Sequence, residues 1–196
     1  MNNKFLYDAN GDILFIAHNV KHIGWVTIKE QSIQRIIYLS KVLYSFTHND
    51  ENIFDYYHFS KTLHGPYAVI IRDSISFLKS NKFLNLTEGS IEAVKDSPIS
   101  LDPTKSNWLQ AIILILGKYG ENRIFGFTIN DPLYKEAVDT NSQKELDTSS
   151  PENTTIQVLN DFKTAFEETL NTTAQISKEE YLDLYFEYVF SQIISN

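Results

Sequence analysis

Residues 56–86 read YYHFSKTLHGPYAVIIRDSISFLKSNKFLNL, and the middle of this stretch predicts where a helix begins. Gly65 accepts backbone angles that other residues resist. Pro66 suits the first position of a helix, because its missing N–H needs no partner there. Beyond the Gly-Pro pair, one helical face is marked by the spacing of Ile70, Ile71, Ser74, Phe77 and Leu78. The pattern therefore predicts a helix over residues 66–80, with Gly65, Pro66 and Tyr67 as the motif that sets its start.

The residues on both sides of this helix extend the pattern. The chain before Gly65 reads as extended, Asn81-Lys82 interrupts the helix, and residues 83–86 predict a short strand. An extended segment, a turn, a helix and a strand in this order are typical of the recognition-helix end of a winged-helix unit, which holds nucleic acid or another protein. An ordinary helix closed by an ordinary strand fits the same pattern, and a fold alone does not give a function.

The composition is that of a globular chain without disulfides. Its 196 residues are 42% hydrophobic and 13% aromatic, and none is cysteine, which excludes disulfides and thiolate metal sites. The start, MNNKFLYDANGD, lacks the basic and apolar regions of a signal peptide. No apolar run approaches the roughly 20 residues of a membrane span. We therefore expect a cytoplasmic protein without a membrane partner.

The net charge of −8 is unevenly placed along the chain. Residues 1–87 carry 9 Lys and Arg against 7 Asp and Glu, whereas residues 88–196 carry 8 against 18. A protein that binds DNA without sequence preference normally shows a basic surface. Only residues 1–87 carry more basic than acidic side chains. The candidates for nucleic-acid contact there are Arg72, Lys79 and Lys82, on the outer side of the predicted helix.

Upstream of this helix, the pattern predicts a hairpin and a long helix. Asn10-Gly11 lies between apolar runs within residues 4–17, which is the strongest short signal for a hairpin. Thr27 is a candidate cap for a helix over residues 28–46.

Downstream, residues 88–103 read mainly as loop, and a nearly all-apolar helix is predicted over residues 104–119. Residues 123–129 read as a strand, and Asp131-Pro132 suits the start of a short helix through Val138. Together these elements predict an α+β, mainly helical fold, with a winged-helix-like domain over residues 1–138.

The last third of the chain predicts a linker and two docking helices. Residues 139–155 are almost entirely polar and are the candidate linker, and two helices follow within residues 156–196. Residues 177–180, SKEE, form a capping-box pattern. The second helix is apolar on two sides, which fits either the chain's own core plus an aromatic surface or its own domain on one side and a partner on the other, and we expect the partner. The candidate partner-binding residues are Tyr181, Leu184, Tyr185, Phe186, Tyr188 and Phe190.

Motifs for catalysis are weak. The chain contains no phosphate-binding GxxxxGK[ST] or GxGxxG and no nucleophile elbow. His18 and His22 have the i, i+4 spacing of metal ligands only if that stretch is helical, and no carboxylate cluster completes a site. His58 and His64 are more typical of surface or turn residues than of general bases. We expect no enzyme, no metal and no cofactor; turnover lost on mutation of His18, His58 or Asp131 would contradict this.

The order of segments resembles that of the SocA/YwgA-like small proteins, whose core is a winged-helix-like unit. The matching segments are IQRIIYLSKVLYSF, the stretch around HGPY, and WLQAIILILGKYGENRIFGFTINDPLYKEAV. The resemblance spans roughly residues 28–138 and is most specific at Gly65-Pro66-Tyr67 and at Asn130-Asp131-Pro132-Leu133-Tyr134. Two positions depart from the pattern. His64 stands where an aromatic is more usual, and Asn81-Lys82 replaces a glycine expected before the final strand.

Within that group, the chain looks most similar to the middle component of ABC-three-component systems, the small subunit of Lamassu-type bacterial defence operons. The resemblance implies a non-enzymatic accessory subunit whose partners are an SMC/Rad50-like ATPase and a nuclease effector, with DNA bound through the complex. The alternative from the residues alone is a winged-helix DNA-binding regulator, such as an antitoxin-like repressor.

Overall fold

The computed structural model describes residues 3–48, 51–95, 98–140, 145–148, 150, 153–170 and 176–195. Parts of the predicted linker (141–144, 149 and 151–152) lie outside these ranges. Within them, the helices are α1 (Asn3–Asn19), α2 (Glu30–Thr47), α3 (Val69–Ser80), α4 (Pro103–Gly117), α5 (Glu121–Ile129), α6 (Pro132–Asp139), α7 (Thr154–Leu170) and α8 (Lys178–Ser195). The strands are β1 (Ile28–Lys29), β2 (Ser60–Thr62), β3 (Gly65–Tyr67), β4 (Leu84–Thr87) and β5 (Ser90–Ala93).

A winged-helix-like unit organises the first half of the chain. Its elements follow in the order α1, β1, α2, α3, β4, β5, and the antiparallel sheet has the strand order β1-β5-β4. The β4–β5 hairpin is the wing, and its two-residue loop has positive φ at both Glu88 (52°) and Gly89 (78°), as the tightest hairpin turns require. The predicted class is confirmed: the fold is α+β, mainly helical, with small strands and a C-terminal helix pair.

The predicted N-terminal hairpin is wrong, because residues 3–19 form α1. Ala9, Ile13 and Ile16 are fully buried at helical spacing, and this burial overrides the local preference of Asn-Gly for a turn. Gly11 serves close packing instead. A Cβ there would lie 2.8 Å from the Cγ2 of Ile99, so only glycine lets the later loop cross α1 at this point.

The Gly-Pro pair is also placed differently from the prediction. Pro66 lies in β3, and α3 begins at Val69, three residues later. The side chain of Gln34 fixes that start, since its Oε1 accepts from the Ala68 N–H at 2.9 Å and its Nε2 donates to the Ala68 carbonyl at 3.2 Å. Gly65 does need its freedom, because its φ is +110°. The predicted helix end at residue 80 is confirmed.

The helix predicted over 28–46 starts two residues later than expected. Residues 28–29 form β1, and Lys29 rather than Thr27 occupies the N-cap position of α2, without a capping hydrogen bond from its side chain. Most of α2 is buried, and it packs against α4, α5, α7 and the hairpin strand β3. The segment 88–103, predicted as loop, contains β5.

The strand predicted over 123–129 is wrong as well, because α5 occupies it. Ile124, Phe127 and Thr128 face the core at helical spacing, although the same letters read as alternating β-type residues. The predicted helices 104–119 and 132–138 are present as α4 and α6. Asp102 and Asp131 cap them by accepting from the N–H groups of Thr104 and Tyr134.

The described part of the predicted linker is packed against the fold at some positions, Leu146 and Thr148 among them, and exposed at others, such as Glu145 and Asp147. Leu146 is buried, its N–H donates to the Phe59 carbonyl at 2.8 Å, and Glu145 bridges to Ser60. The terminal helices join the same core, through side chains such as Leu159 and Phe186. Independent folding of residues 1–138 stays a prediction. None of the helices in the described ranges is long and apolar enough to cross a bilayer.

Candidate functional site

The outward face of α3 mixes charged and apolar side chains. Arg72 is exposed, but its Nε and Nη2 both bond the Asp73 carboxylate, at 3.0 and 2.7 Å. Val69 and Phe77 are 51% and 47% exposed on the same helix. Lys79 is exposed near its C-terminal end. This face therefore offers apolar contact area together with little uncompensated positive charge.

The wing next to α3 is not basic at its tip. Its loop consists of Glu88 and Gly89, and both are exposed. Lys82 lies exposed in the turn between α3 and β4, at a positive φ of 61°. Lys95 stands over the ring of Phe83 at 5.5 Å from its centroid. Of the predicted nucleic-acid contacts, Lys79 and Lys82 are thus presented to solvent at one end of α3, while Arg72 is engaged by an acid.

The β2–β3 hairpin projects from the other end of α3 and is held from several directions. The Arg35 guanidinium donates to the His64 carbonyl at 2.9 Å, and the Tyr134 hydroxyl donates to the Thr62 carbonyl at 2.6 Å. Lys61 donates to the Ala137 carbonyl at 2.7 Å. The tip of this braced hairpin is Leu63, which is 96% exposed.

A groove of about 670 Å³ runs beside that tip. One wall is the hairpin, another is the first turns of α2, and the third is the loop of the wing. The lining residues are Lys29, Glu30, Gln31, Gln34, Thr62, His64, Pro66, Tyr67, Glu88 and Gly89. Charges of both signs surround the groove, since Lys29 faces the same opening as Glu30 and Glu88.

The predicted docking residues of α8 divide into two groups. Tyr181, Tyr185 and Phe186 are 2%, 6% and 2% exposed and belong to the chain's own core. Tyr188 is 51% exposed, while Leu184 and Phe190 are half-buried. On α8, a partner therefore reaches mainly the second group, at a seam where the Tyr188 ring lies 5.7 Å from that of Phe162.

Sequence reasoning missed a buried ionic cluster around Asp12. Its Oδ2 accepts from the Tyr57 hydroxyl at 2.9 Å, from the Tyr56 hydroxyl, and from the Lys105 ammonium at 2.8 Å. Burial raises the pKa of the Asp12 carboxyl, and Lys105 opposes that rise. The only signal in the sequence was an acid inside the helical stripe formed by Ala9, Ile13 and Ile16.

Asp131, one of the motif residues predicted from the sequence, forms a second buried cluster, in which no described Lys, Arg or His contacts the carboxylate. Its Oδ2 accepts from the Tyr38 hydroxyl at 2.7 Å and from the Tyr134 N–H at 3.1 Å, and its Oδ1 accepts from the Thr155 hydroxyl at 2.8 Å. Burial raises the pKa of this carboxyl too. These bonds connect α2, α6 and α7, so the residue has a bracing role in the fold.

Of the histidines considered as ligands or bases, His18 and His22 line one pocket together, since residues 3–19 and 20–23 are helical. His18 Nε2 is 2.8 Å from the Lys95 carbonyl, and His58 pairs with Glu145 at 2.8 Å on the surface. Across the described ranges, no three His, Asp or Glu side chains come close enough together to hold a metal ion. The exposed features of the described residues are therefore surfaces that suit contact with another molecule. The two clusters of titratable side chains, around Asp12 and Asp131, are buried in the fold.

No family model, curated protein or solved structure matches this chain. The resemblance to the middle component of ABC-three-component systems therefore stays a prediction.

Proposed function

We propose that this chain is a non-enzymatic, cytoplasmic adaptor subunit that binds other proteins through the outward face of α3 and the wing. The observation that supports this most directly is the chemistry of that face. A winged-helix unit that holds DNA presents cations there, whereas this one presents the half-exposed Val69 and Phe77, an arginine engaged by Asp73, and an acidic wing tip.

Electrostatics favours a protein partner over a nucleic acid. Each phosphate that a protein neutralises requires a Lys or Arg, and binding without sequence preference depends on several of them. The α3 surface offers Lys79 and Lys82, and Glu88 stands at the adjacent wing tip. Exposed apolar side chains with few charges are the usual centre of a protein interface.

The partners follow from the family resemblance. We propose an SMC/Rad50-like ATPase and a nuclease effector, assembled in a bacterial defence complex that contacts DNA as a whole. The exposed seam of Tyr188 and Phe162 on the terminal helices is a second docking surface. Two separate surfaces suit a subunit that bridges two partners.

Co-expression with a coiled-coil ATPase encoded next to this chain tests the proposal. We expect the ATPase to co-purify with the wild-type chain and to be lost from the double variant Val69→Glu/Phe77→Glu. The triple variant Arg72→Ala/Lys79→Ala/Lys82→Ala is the matched control on the same helix and should keep the ATPase. A wild-type chain that never retains the ATPase contradicts the proposal.

The terminal helices need point variants rather than a deletion. Removing residues 156–196 takes away buried residues such as Leu159, Tyr181 and Phe186, so loss of binding would be indistinguishable from loss of the fold. Tyr188→Glu changes a half-exposed side chain. We expect this variant to stay folded by circular dichroism and to lose one of the two partners in the pull-down.

The second candidate function is a DNA-binding regulator, favoured by the winged-helix strand order and by two exposed lysines at one end of α3. It predicts an electrophoretic shift that weakens steeply with salt and is lost in the triple alanine variant. A shift that survives the alanine changes, or the absence of any shift, counts against it.

A further inference from the structure

The β2–β3 hairpin presents one apolar side chain on a fixed support. Leu63 is 96% exposed, while the residues beside it, Thr62 and His64, are hydrogen-bonded through their carbonyls to Tyr134 and Arg35. Within the tip, the Thr62 hydroxyl donates to the Gly65 carbonyl at 2.6 Å and accepts from the His64 N–H at 3.2 Å. These bonds fix the backbone that carries Leu63, so binding through this side chain costs little backbone ordering.

The groove lies directly beside this side chain. Thr62 and His64, the two neighbours of Leu63, line it together with Pro66 and Tyr67 of β3. Its volume of about 670 Å³ is within the range of sites that enclose a ligand or several side chains. A projecting leucine and a groove thus lie next to each other on one surface.

Strand addition is a poor use of this groove. Pro66 has no N–H to offer at the edge of β3, and both backbone groups of Ala68 are already bonded by Gln34. An occupant must therefore bind by its side chains rather than by extending the sheet.

We propose that this surface joins two copies of the chain in a two-fold symmetric dimer, with Leu63 of each copy inserted in the groove of the other. In a two-fold interface the same patch serves both partners, so a knob and its recess must lie side by side on one protomer. The rim of the groove carries charges of both signs, Lys29 on one side and Glu30 and Glu88 on the other, so in this arrangement Lys29 of each copy would face the acids of the other.

The net charge of −8 on each copy opposes association. Salt screens this repulsion and also the attraction between rim charges of opposite sign, so we expect the dimer to change little with ionic strength. Docking of a basic partner on this acidic chain would instead weaken as ionic strength rises.

Sedimentation velocity and light scattering on the purified full chain, over a hundredfold range of concentration, test the proposal. We expect a species of twice the 22.6 kDa chain mass at high concentration. Leu63→Glu should raise the dissociation constant of the dimer at least tenfold, with unchanged circular dichroism and thermal midpoint. Val94→Glu is the control, because Val94 is 59% exposed at the end of β5 away from the wing loop. A chain that stays monomeric, or a dimer that Leu63→Glu leaves intact, overturns the proposal.

Because the chain contains no cysteine, introduced cysteines can test which residues of the two copies face each other in the proposed dimer. Gln31→Cys and His64→Cys each place one thiol in the groove wall, and neither variant contains a second cysteine. Mixed and oxidised, the two variants should form a disulfide between different chains, and Gln31→Cys mixed with Val94→Cys should not. Equal cross-linking in both mixtures contradicts the proposed arrangement. Failure here leaves the adaptor proposal standing, because that proposal depends on Val69 and Phe77.

Discussion

Asp12 and Asp131 are both buried carboxylates, at 0% and 4% exposure, but the fold stabilises them by different means. Asp12 meets a cation, Lys105, which also lies over the rings of Phe54 and Tyr56. Among the residues that the structure describes, Asp131 meets hydroxyl and amide donors and no cation. Its two oxygens are both bonded, whereas Oδ1 of Asp12 has no hydrogen-bond donor within the described ranges.

The comparison of the two clusters shows which part of the fold is stabilised by an ion pair and which by hydrogen bonds alone. The Asp12 cluster joins α1 to α4 and to the segment before β2 through an ion pair, and breaking a buried pair leaves one charge uncompensated. The Asp131 cluster joins α2, α6 and α7 through a shared helix cap, so its loss costs several ordinary hydrogen bonds. The variants below separate these two kinds of stabilisation.

The largest effect is expected from Lys105→Met, which leaves Asp12 buried without its cation. We expect a loss of about 3–5 kcal/mol in the free energy of unfolding, measured by urea denaturation. Lys118→Met is the matched control, since Lys118 pairs with Asp183 on the surface and such pairs contribute only about 0–1 kcal/mol. Equal effects of the two changes would contradict a special role for the buried pair.

The next effect is expected from Asp131→Ala, which removes the cap of α6 and leaves the hydroxyls of Tyr38 and Thr155 without their acceptor. We expect a loss of about 2–4 kcal/mol in the free energy of unfolding, combining a cap with unsatisfied buried donors. Asp102→Ala removes a comparable but exposed cap from α4 and should cost about 1 kcal/mol. A smaller loss for Asp131→Ala than for Asp102→Ala would be the contrary result.

The dependence of the free energy of unfolding on pH also tests the two buried carboxylates. Burial raises the pKa of Asp131 above the usual 3.8, so the carboxyl holds its proton more tightly in the folded state than in the unfolded state. Stability from this group is fully present below the unfolded pKa and is lost as pH rises through the folded pKa.

Relative to Asp131→Asn, the wild type should therefore lose stability with rising pH by at most about 1.4 kcal/mol per pH unit over that window. The same comparison for Asp12→Asn should give a slope of the same sign, because burial raises the pKa of Asp12 as well, against the opposing effect of Lys105. Urea midpoints measured across the acidic range check both expectations. A wild type that gains stability relative to Asp131→Asn would contradict the first.

The smallest effect is expected from Tyr38→Phe, which removes a single hydroxyl donor from Asp131. We expect a loss of about 1–2 kcal/mol in the free energy of unfolding. In a double-mutant cycle with Asp131→Asn, the two losses should not add, because both changes act on one hydrogen bond. Additive losses would show that the two groups act independently.

Helices α2, α4 and α6 were predictable to within a few residues, from an apolar stripe, a nearly all-apolar run and an Asp-Pro start, respectively. The errors fell where a local signal competed with packing. Asn10-Gly11 favours a turn in isolation, but Gly11 is required for close contact with the loop at Ile99. Residues 123–129 carry β-type side chains, but Ile124 and Phe127 meet the core on one helical face. Neither contact is visible without knowing which segments meet.

The candidate surfaces were predictable in part, for a similar reason. Composition identified α8 as apolar on two sides, yet only the fold shows that Tyr181, Tyr185 and Phe186 are already covered. Leu63 was overlooked because a single leucine in a polar stretch has no period to mark it. Its exposure depends on Arg35 and Tyr134, which lie far from it in the sequence and hold the hairpin outward.

Two hydrogen bonds between the Gln34 side chain and the Ala68 backbone connect α2 to the start of α3. Gln34 also lines the groove beside the hairpin. An occupant of the groove that displaced this amide would leave the Ala68 N–H without its acceptor at the start of α3. One glutamine side chain therefore connects the groove to the turn that carries Val69.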